Sequence, residues 1–282
     1  MSGISLRQKA PLGWRFSAYV IMIAFAVLTL FPLIWLAYSS FKPHAEIIRY
    51  PMALPKAPTF YNYITAWQLG GLGMALANSF LYTTVATVCT LFLALAASFG
   101  ITKFSFKSSK FFTGAFAFGL MITVHAVIIP LFIMEVKTGI VNTRIGVIIP
   151  YIAFDLPMSI MIAISYVKGI PDALIESAEI DGAKYYRIFW GMIVPLSTPV
   201  AATMVILSFL RHWNEFLFVF VFTSKVALKT LPVAITQFAG RLNTEYGLQY
   251  ASLVIGILPM IVFYFFFHAQ LIKGFSEGAL KE

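Results

Sequence analysis

The sequence predicts an all-α fold: a polytopic membrane protein with six transmembrane helices. Three observations carry this. First, 60% of the 282 residues are apolar, 16% are aromatic and only 11% are charged, with a mean hydropathy of +0.87. A soluble domain carries about a quarter charged residues, and surface-to-volume scaling prevents a chain of this length from burying such an excess. Second, apolar runs long enough to cross a hydrocarbon core of about 30 Å recur along the chain. Third, Lys and Arg gather in the connections between those runs. The same composition excludes disorder, because disordered chains are polar and charge-rich. A single cysteine, Cys89, excludes an intrachain disulfide and a cysteine metal cluster. The net charge of +9 would suggest nucleic acid in a soluble protein. In a membrane protein, basic connections follow from topogenesis alone.

The expected organisation is an N-terminal segment 1–16, a transmembrane domain 17–272 and a tail 273–282. The six spans fall near 17–40, 74–101, 111–134, 143–167, 196–222 and 250–272. The first follows Arg7, Lys9 and Arg15. It is longer than the apolar core of a signal peptide and no A-x-A-like site follows, so it reads as an uncleaved span. Placing both ends inside puts 11 basic connecting residues inside and 8 outside. The local signals agree: three basic and no acidic residues precede the first span, and the 102–110 hairpin carries Lys103, Lys107 and Lys110. Segment 41–73 holds Pro43, Pro51, Pro55 and Pro58 among aromatics, as a structured cap would, the alternative being a plain connector. No 20–50-residue repeat and no low-complexity tract occurs.

The connection 168–195 is the informative one. Pro171 suits a first helical position, and Asp172 meets the positive end of a helix. Leu174, Ile175 and Ala178 then share one face. Glu176, Glu179 and Asp181 lie mainly off it, and Gly182 supplies a left-handed stop. A second short helix is expected from Ala183 toward Met192, with Pro195 at the entry to the next span. An amphipathic knob of this kind suits a groove on another protein. The alternative is a helix lying on headgroups, but such helices are rich in Lys and Arg. This one has four acids in its first half.

Glu176-Ser177-Ala178, Gly182 and Met192-Ile193-Val194-Pro195 resemble the Glu-Ala-Ala loop of ABC import permeases. The string from Ile170-Pro171 to Asp181-Gly182-Ala183 resembles its version in carbohydrate-uptake permeases of the maltose type. Ser177 for Ala, Met192 for Ile and Val194 for Leu are departures that leave the acid, the Gly and the Pro in place. Thr59–Tyr63, Asn78-Ser79-Phe80, Gly139–Thr143, Trp213–Leu217 and the stretch from Gln270 to Lys281 are similar, in order, to further blocks of the smaller six-span subunit.

The resemblance implies the type I ABC importer permease fold and half of a translocation path for a sugar or oligosaccharide. It also implies a second permease, two ATPase subunits, an extracytoplasmic solute-binding protein and a bacterial or archaeal cytoplasmic membrane, with both termini cytoplasmic. Pro171, Leu174, Ile175, Glu176, Ser177, Ala178, Asp181 and Gly182 would couple to an ATPase. Ser276, Glu277, Gly278 and Lys281 would reach toward it from the tail, and the 223–249 loop would face the binding protein. No cofactor is expected on this chain; ATP and Mg would sit on the partner ATPase.

The residues themselves agree on the last point. There is no G-x-x-x-x-G-K-[ST] loop, H-E-x-x-H or G-x-S-x-G. The four His are far apart in sequence, so no catalytic or metal site is expected. Polar residues at membrane depth are functional candidates: Asp155, Arg211, His212, Asn214 and Glu215, with Asn78, Tyr82 and His125; of these Asn78, Tyr82, His125, Asp155, Asn214 and Glu215 are candidates for the path. Structural readings compete. Arg211 and Glu215 are four apart and could pair, and Asp155 could satisfy backbone groups freed by Pro157. Ala94, Ala97 and Ser98 are expected to pack helix on helix, and 263–267 to face lipid. The same machine could carry a polyol or glycerol phosphodiester. A secondary transporter would need buried acids in several spans and often an inverted repeat, and no channel-type carbonyl filter is evident.

Overall fold

The structure, a computed structural model, describes residues 12–104, 106–240 and 245–279, with side chains from residue 16 to residue 267. Arg7, Lys9, Lys281 and most of the N-terminal segment lie outside it. In chain order the helices are α1 (Leu12–Ser39), α2 (His44–Arg49), α3 (Tyr61–Leu69), α4 (Leu72–Lys103), α5 (Ser109–Gly119), α6 (Val124–Thr138), α7 (Arg144–Val167), α8 (Asp172–Ile180), α9 (Tyr185–Ile188), α10 (Val194–Leu196), α11 (Thr198–Trp213), α12 (Leu217–Phe222), α13 (Leu231–Ile235) and α14 (Tyr246–Ala279). Four described helices are long and apolar enough to span a bilayer: α1, α4, α7 and α14. Two bent pairs raise the number to six if each counts as one span. They are α5 with α6, bent by 101°, and Tyr185–Leu196 with α11, bent by 76°.

The expected third span, 111–134, is therefore two helices. Leu120, Met121 and Ile122 close α5 with i→i−3 backbone bonds, and Thr123 is extended. Hydropathy cannot see this break because the residues around it are apolar. Expected span 196–222 is likewise interrupted between Trp213 and Leu217.

The chain divides into two compact units, Met1–Ala66 with Phe238–Val254, and Trp67–Gln237 with Ile255–Glu282. In the first, segment 41–66 is folded, as a cap would be. The Asn62 amide donates to the Ser40 and Lys42 carbonyls at 2.7 and 2.8 Å. Lys42 is buried, and its ammonium donates to the Tyr50 and Pro51 carbonyls, each at 3.2 Å. It also lies 5.1 Å from the centre of the Tyr38 ring. Burial lowers the Lys42 pKa from its ordinary value, against the opposing field of Glu46. Trp35 and Tyr38 donate to the carbonyls of Pro51 and Met52, both at 2.9 Å, which ties the Pro-rich stretch to the end of α1.

The second unit is built around α4, α7 and α11. Beside the larger Leu72, Asn78, Tyr82, Leu95 and Phe99, the buried face of α4 includes a row of small and hydroxyl residues: Ala75, Ser79, Thr83, Ala86, Thr87, Thr90, Ala94 and Ser98. Steps of three and four residues keep them on one stripe, and their size lets neighbouring backbones approach closely. Ala97 is half-buried beside them. Two apolar cores form. One joins Tyr82, Ala86, Val147, Tyr151, Phe218 and Phe222. The other joins Leu95, Phe99, Ile160, Ile164, Ile175, Ile188 and Ile193. In the aromatic run, Tyr264, Phe265 and Phe266 are exposed. Phe263 instead stacks on Phe209, with ring centres 4.0 Å apart.

Candidate functional site

The 168–195 segment folds as a compact knob. Pro171 is the cap residue before α8, not its first helical residue; Asp172 opens the helix. The buried ammonium of Lys103 donates to the Ile170 carbonyl and to Asp172 Oδ1, both at 2.6 Å. The end of α4 thus holds the start of α8. At the other end Gly182 takes φ +79°. Its N–H bonds the Glu179 carbonyl and the Ala183 N–H bonds the Ala178 carbonyl, both at 2.9 Å. That 5→2 and 6→1 pair is the Schellman arrangement, which needs a left-handed residue at this point. Beyond it the expected second helix is present: helical backbone runs unbroken from Tyr185 to Leu196, as α9, a π-helical turn over Phe189–Ile193 and α10.

The apolar face of α8 differs from the expectation. Ile175 is buried and Ala178 is half-buried in the chain's own core, beside Ile170, Ala183 and Ile188. They are held inward, so Ile175 and Ala178 do not face outward. The face left open carries Leu174 (41% exposed), Ile180 (86%) and Tyr186 (62%). Glu176, Ser177, Glu179 and Asp181 are exposed beside them. A cavity of about 480 Å³ opens between Lys103, Phe104, Asp172, Ile175, Glu176, Glu179 and Tyr185.

At membrane depth a polar network ties the three central helices together. Arg211 on α11 lies 2.8 Å from Asp155 on α7. Asp155 also accepts from Ser208 and, at 3.5 Å, from Ser159. His212 sits between the Tyr151 carbonyl and Thr87, each 3.2 Å away. Two expectations are thereby corrected. Arg211 does not pair with Glu215 on its own helix, because α11 ends at Trp213 and Glu215 turns away to accept from the Phe218 N–H at 2.9 Å. Asp155 serves a salt bridge and two hydroxyls, not the backbone around Pro157.

Asn78 and Tyr82 are also employed differently from the expectation. Both are buried. Asn78 donates to the Ala227 and Lys229 carbonyls at 2.8 and 3.1 Å, and Tyr82 to the Leu228 carbonyl at 3.2 Å. Ser79 accepts from the Leu231 N–H at 2.8 Å. The start of α4 is therefore an anchor for the 226–231 loop. Asn142 holds the adjoining stretch, accepting from the Ser224 and Lys225 N–H groups at 2.6 and 3.2 Å. It does so at φ +59°, a conformation Asn tolerates better than most residues.

Of the other path candidates, His125 is exposed at the start of α6 and Asn214 is exposed where α11 ends. Ser276, Glu277 and Gly278 lie in the last turns of α14; Lys281 is outside the described residues. No group of three or more His, Cys, Asp or Glu arranged to hold a metal occurs among the described residues. The residues that sequence reasoning missed are Ser208 and Lys103, whose partners lie over fifty positions away along the chain; Arg211 was a candidate but its partner was not foreseen.

Long apolar helices, two bent helix pairs, a buried charge network and a helix–turn knob define a multi-pass membrane protein of the permease class. Residues 86–276 match the model of the family described as "Binding-protein-dependent transport system inner membrane component". The chain is 30% identical over 281 residues to the "Probable ABC transporter permease protein YurM" of Bacillus subtilis, covering 99% of this chain and 93% of that one. It is 28% identical over 279 residues to the "Diacetylchitobiose uptake system permease protein NgcG" of Streptomyces coelicolor, covering 98% and 92%. Its fold matches a chain from the crystal structure of a bacterial ABC transporter involved in the import of the acidic polysaccharide alginate. That match has a TM-score of 0.78 and 24% identity, over 89% of this chain and 94% of that one. The chain belongs to the family of binding-protein-dependent transport system inner membrane components. It is a permease, a transport component that works in a complex with other subunits.

Proposed function

We propose that this chain forms half of the translocation path of an ATP-driven importer for a sugar or oligosaccharide. Its partners are a second permease, two ATPase subunits and an extracytoplasmic solute-binding protein. ATP and Mg belong to the ATPases, and both termini of this chain lie on their side of a bacterial or archaeal cytoplasmic membrane. The observation that supports this best is the α8 knob. Its start is fixed by Lys103, its end by the Gly182 turn, and its open face carries Leu174, Ile180, Glu176 and Glu179. A rigid, acid-edged projection is what a motor subunit needs to push on a membrane domain. Residues 171–182 take this role, with Glu176 meeting a basic residue of the ATPase, and Ser276–Lys281 approach the same subunit. The path is lined in part by His125, Asn214 and Glu215. The carbohydrate assignment draws on the diacetylchitobiose relative.

The test is reconstitution in proteoliposomes. Uptake should require the ATPases, ATP and the loaded binding protein. Solute movement by this polypeptide alone, without nucleotide, would overturn the proposal. A proton-coupled carrier is disfavoured because Asp155, an acid such a carrier could use, is already paired with Arg211.

A further inference from the structure

Arg211 stands apart from the other members of the intramembrane network. Asp155, Ser208 and His212 are buried, with Asp155 only 2% exposed, while the Arg211 side chain is 45% exposed. Its Nη1 lies 2.8 Å from Asp155 Oδ1. The remaining N–H groups of its fork have no hydrogen-bond partner among the described residues. Asn214 follows three positions later, where α11 ends, and is exposed too. Its amide donates to the Leu210 carbonyl at 2.8 Å, which leaves its oxygen open.

A half-exposed guanidinium at membrane depth cannot be left to hydrocarbon, so this face must meet water or polar groups. Arg211 and Asn214 are three apart, hence neighbours on one side of the helix. Together they offer rigid donors and an acceptor, the complement of a hydroxyl-bearing solute. Charge then sets the class of solute. An acidic solute would need a site with net positive charge, but the Asp155 carboxylate offsets Arg211 at close range.

We infer that Arg211 and Asn214 form a water-accessible patch on the translocation path, held net neutral by Asp155, which favours neutral polyhydroxylated solutes over acidic ones. This rests on the importer reading above and adds the substrate class and the residue that sets it. Asp155 is a positioning residue, acting through Arg211.

The test uses the full transporter in membranes and needs no knowledge of the natural solute. Cys89 is replaced by Ala and Asn214 by Cys. The probes are anionic sulfonatoethyl and cationic trimethylammonioethyl methanethiosulfonate, each rate normalised to that with free mercaptoethanol. Both should label Asn214→Cys at comparable normalised rates. Adding Asp155→Asn should raise the anionic-to-cationic ratio about tenfold, as expected for uncovering one positive charge in a confined cleft. Arg211→Gln should move the ratio the other way. A ratio is read because changes in thiol acidity affect both reagents alike.

Labelling only by a lipid-soluble maleimide would place this face in the bilayer and overturn the inference. An anionic preference already present with Asp155 intact, or a ratio unmoved by either network substitution, would do the same. If Asp155→Asn fails to assemble, the ratio with Asp155 intact and the Arg211→Gln shift still decide. Co-purification of an ATPase is scored in the same membranes. Its absence strikes the importer reading, whereas failed labelling with the ATPase present strikes this inference alone.

Discussion

Gly182 offers a clean measure of how much the knob depends on one turn. Its φ is +79°, and an added Cβ would meet nothing within 4 Å. A substitution there acts through backbone strain, with no clash to confuse it. Holding an L-residue in the left-handed region costs about 1–2 kcal/mol. Asn tolerates that region better than Ala, and a β-branched residue is the worst case. The expected order of stability is therefore Gly, then Asn, then Ala, then Val. A loss of 1–2 kcal/mol multiplies the population of the opened turn by about 5–30. Amide exchange at Gly182 and Ala183 in the purified complex reads this directly, since those two N–H groups close the helix end. Retention of the ATPase on the purified complex should fall in the same order. Wild-type exchange and full retention in Gly182→Val would refute the argument, because no alternative contact could account for it.

Four further outcomes follow from the same contacts. Glu176→Lys is a change at an exposed position, so folding should move by no more than about 0.5 kcal/mol. ATPase binding and uptake should nevertheless fall, and normal values of both would remove Glu176 from the coupling surface. Asn78→Ala deletes two bonds to the 226–231 loop; at about 0.5–1.5 kcal/mol for each bond lost to partly exposed carbonyls, limited proteolysis between 225 and 230 should accelerate. Lys103→Met orphans the Ile170 carbonyl at a cost of about 1–3 kcal/mol, and amide exchange in the first turn of α8 should rise; the ion pair with the 76% exposed Asp172 adds little. Gly146→Ala places a Cβ 2.5 Å from the Ile140 carbonyl oxygen and 3.0 Å from Glu135 Oε2, so the purified protein should melt earlier, by overpacking of about 1–3 kcal/mol.

What the sequence made legible was local. The Gly182 stop, the acid edge of α8 and the folded 41–66 cap are written in nearest neighbours: a Gly after a periodic run, acids off the apolar face, prolines among aromatics. Contacts between distant segments were not. Asp155 and Arg211 are 56 positions apart, and the local reading paired Arg211 with Glu215 instead. That pairing fails because α11 stops between the two, at Trp213, and the chain turns before Glu215. The inward face of α8 was misread for a related reason. Leu174, Ile175 and Ala178 mark an amphipathic helix from its spacing, but spacing cannot say whether the face meets a partner or the chain's own core. Ile188 and Ile170 supply that core from either side. Asn78 and Tyr82 were recognised as polar residues in a span, and only the folded chain brings the 226–231 carbonyls to them.

Several long-range contacts share one helix. α4 contains 32 residues, and at 1.5 Å per residue it is about 48 Å long, enough to cross the bilayer. Its first turns carry Asn78, Ser79 and Tyr82, which hold the 226–231 loop. Its last residue, Lys103, holds Ile170 and Asp172 at the base of the knob. Between them, Thr87 reaches the His212 that joins α7 and α11. A helix whose backbone bonds are all internal is stiff along its axis, and its small-residue face fits tightly against its neighbours. Under the coupling role proposed for α8, force applied there would reach the far loop by one strut, without passing through the interrupted helices. Those interruptions, between α5 and α6 and at either end of α11, are where the bundle can bend. Coupling of the kind proposed requires rigid transmission beside compliant walls, and α4 fits the first requirement and the broken spans the second.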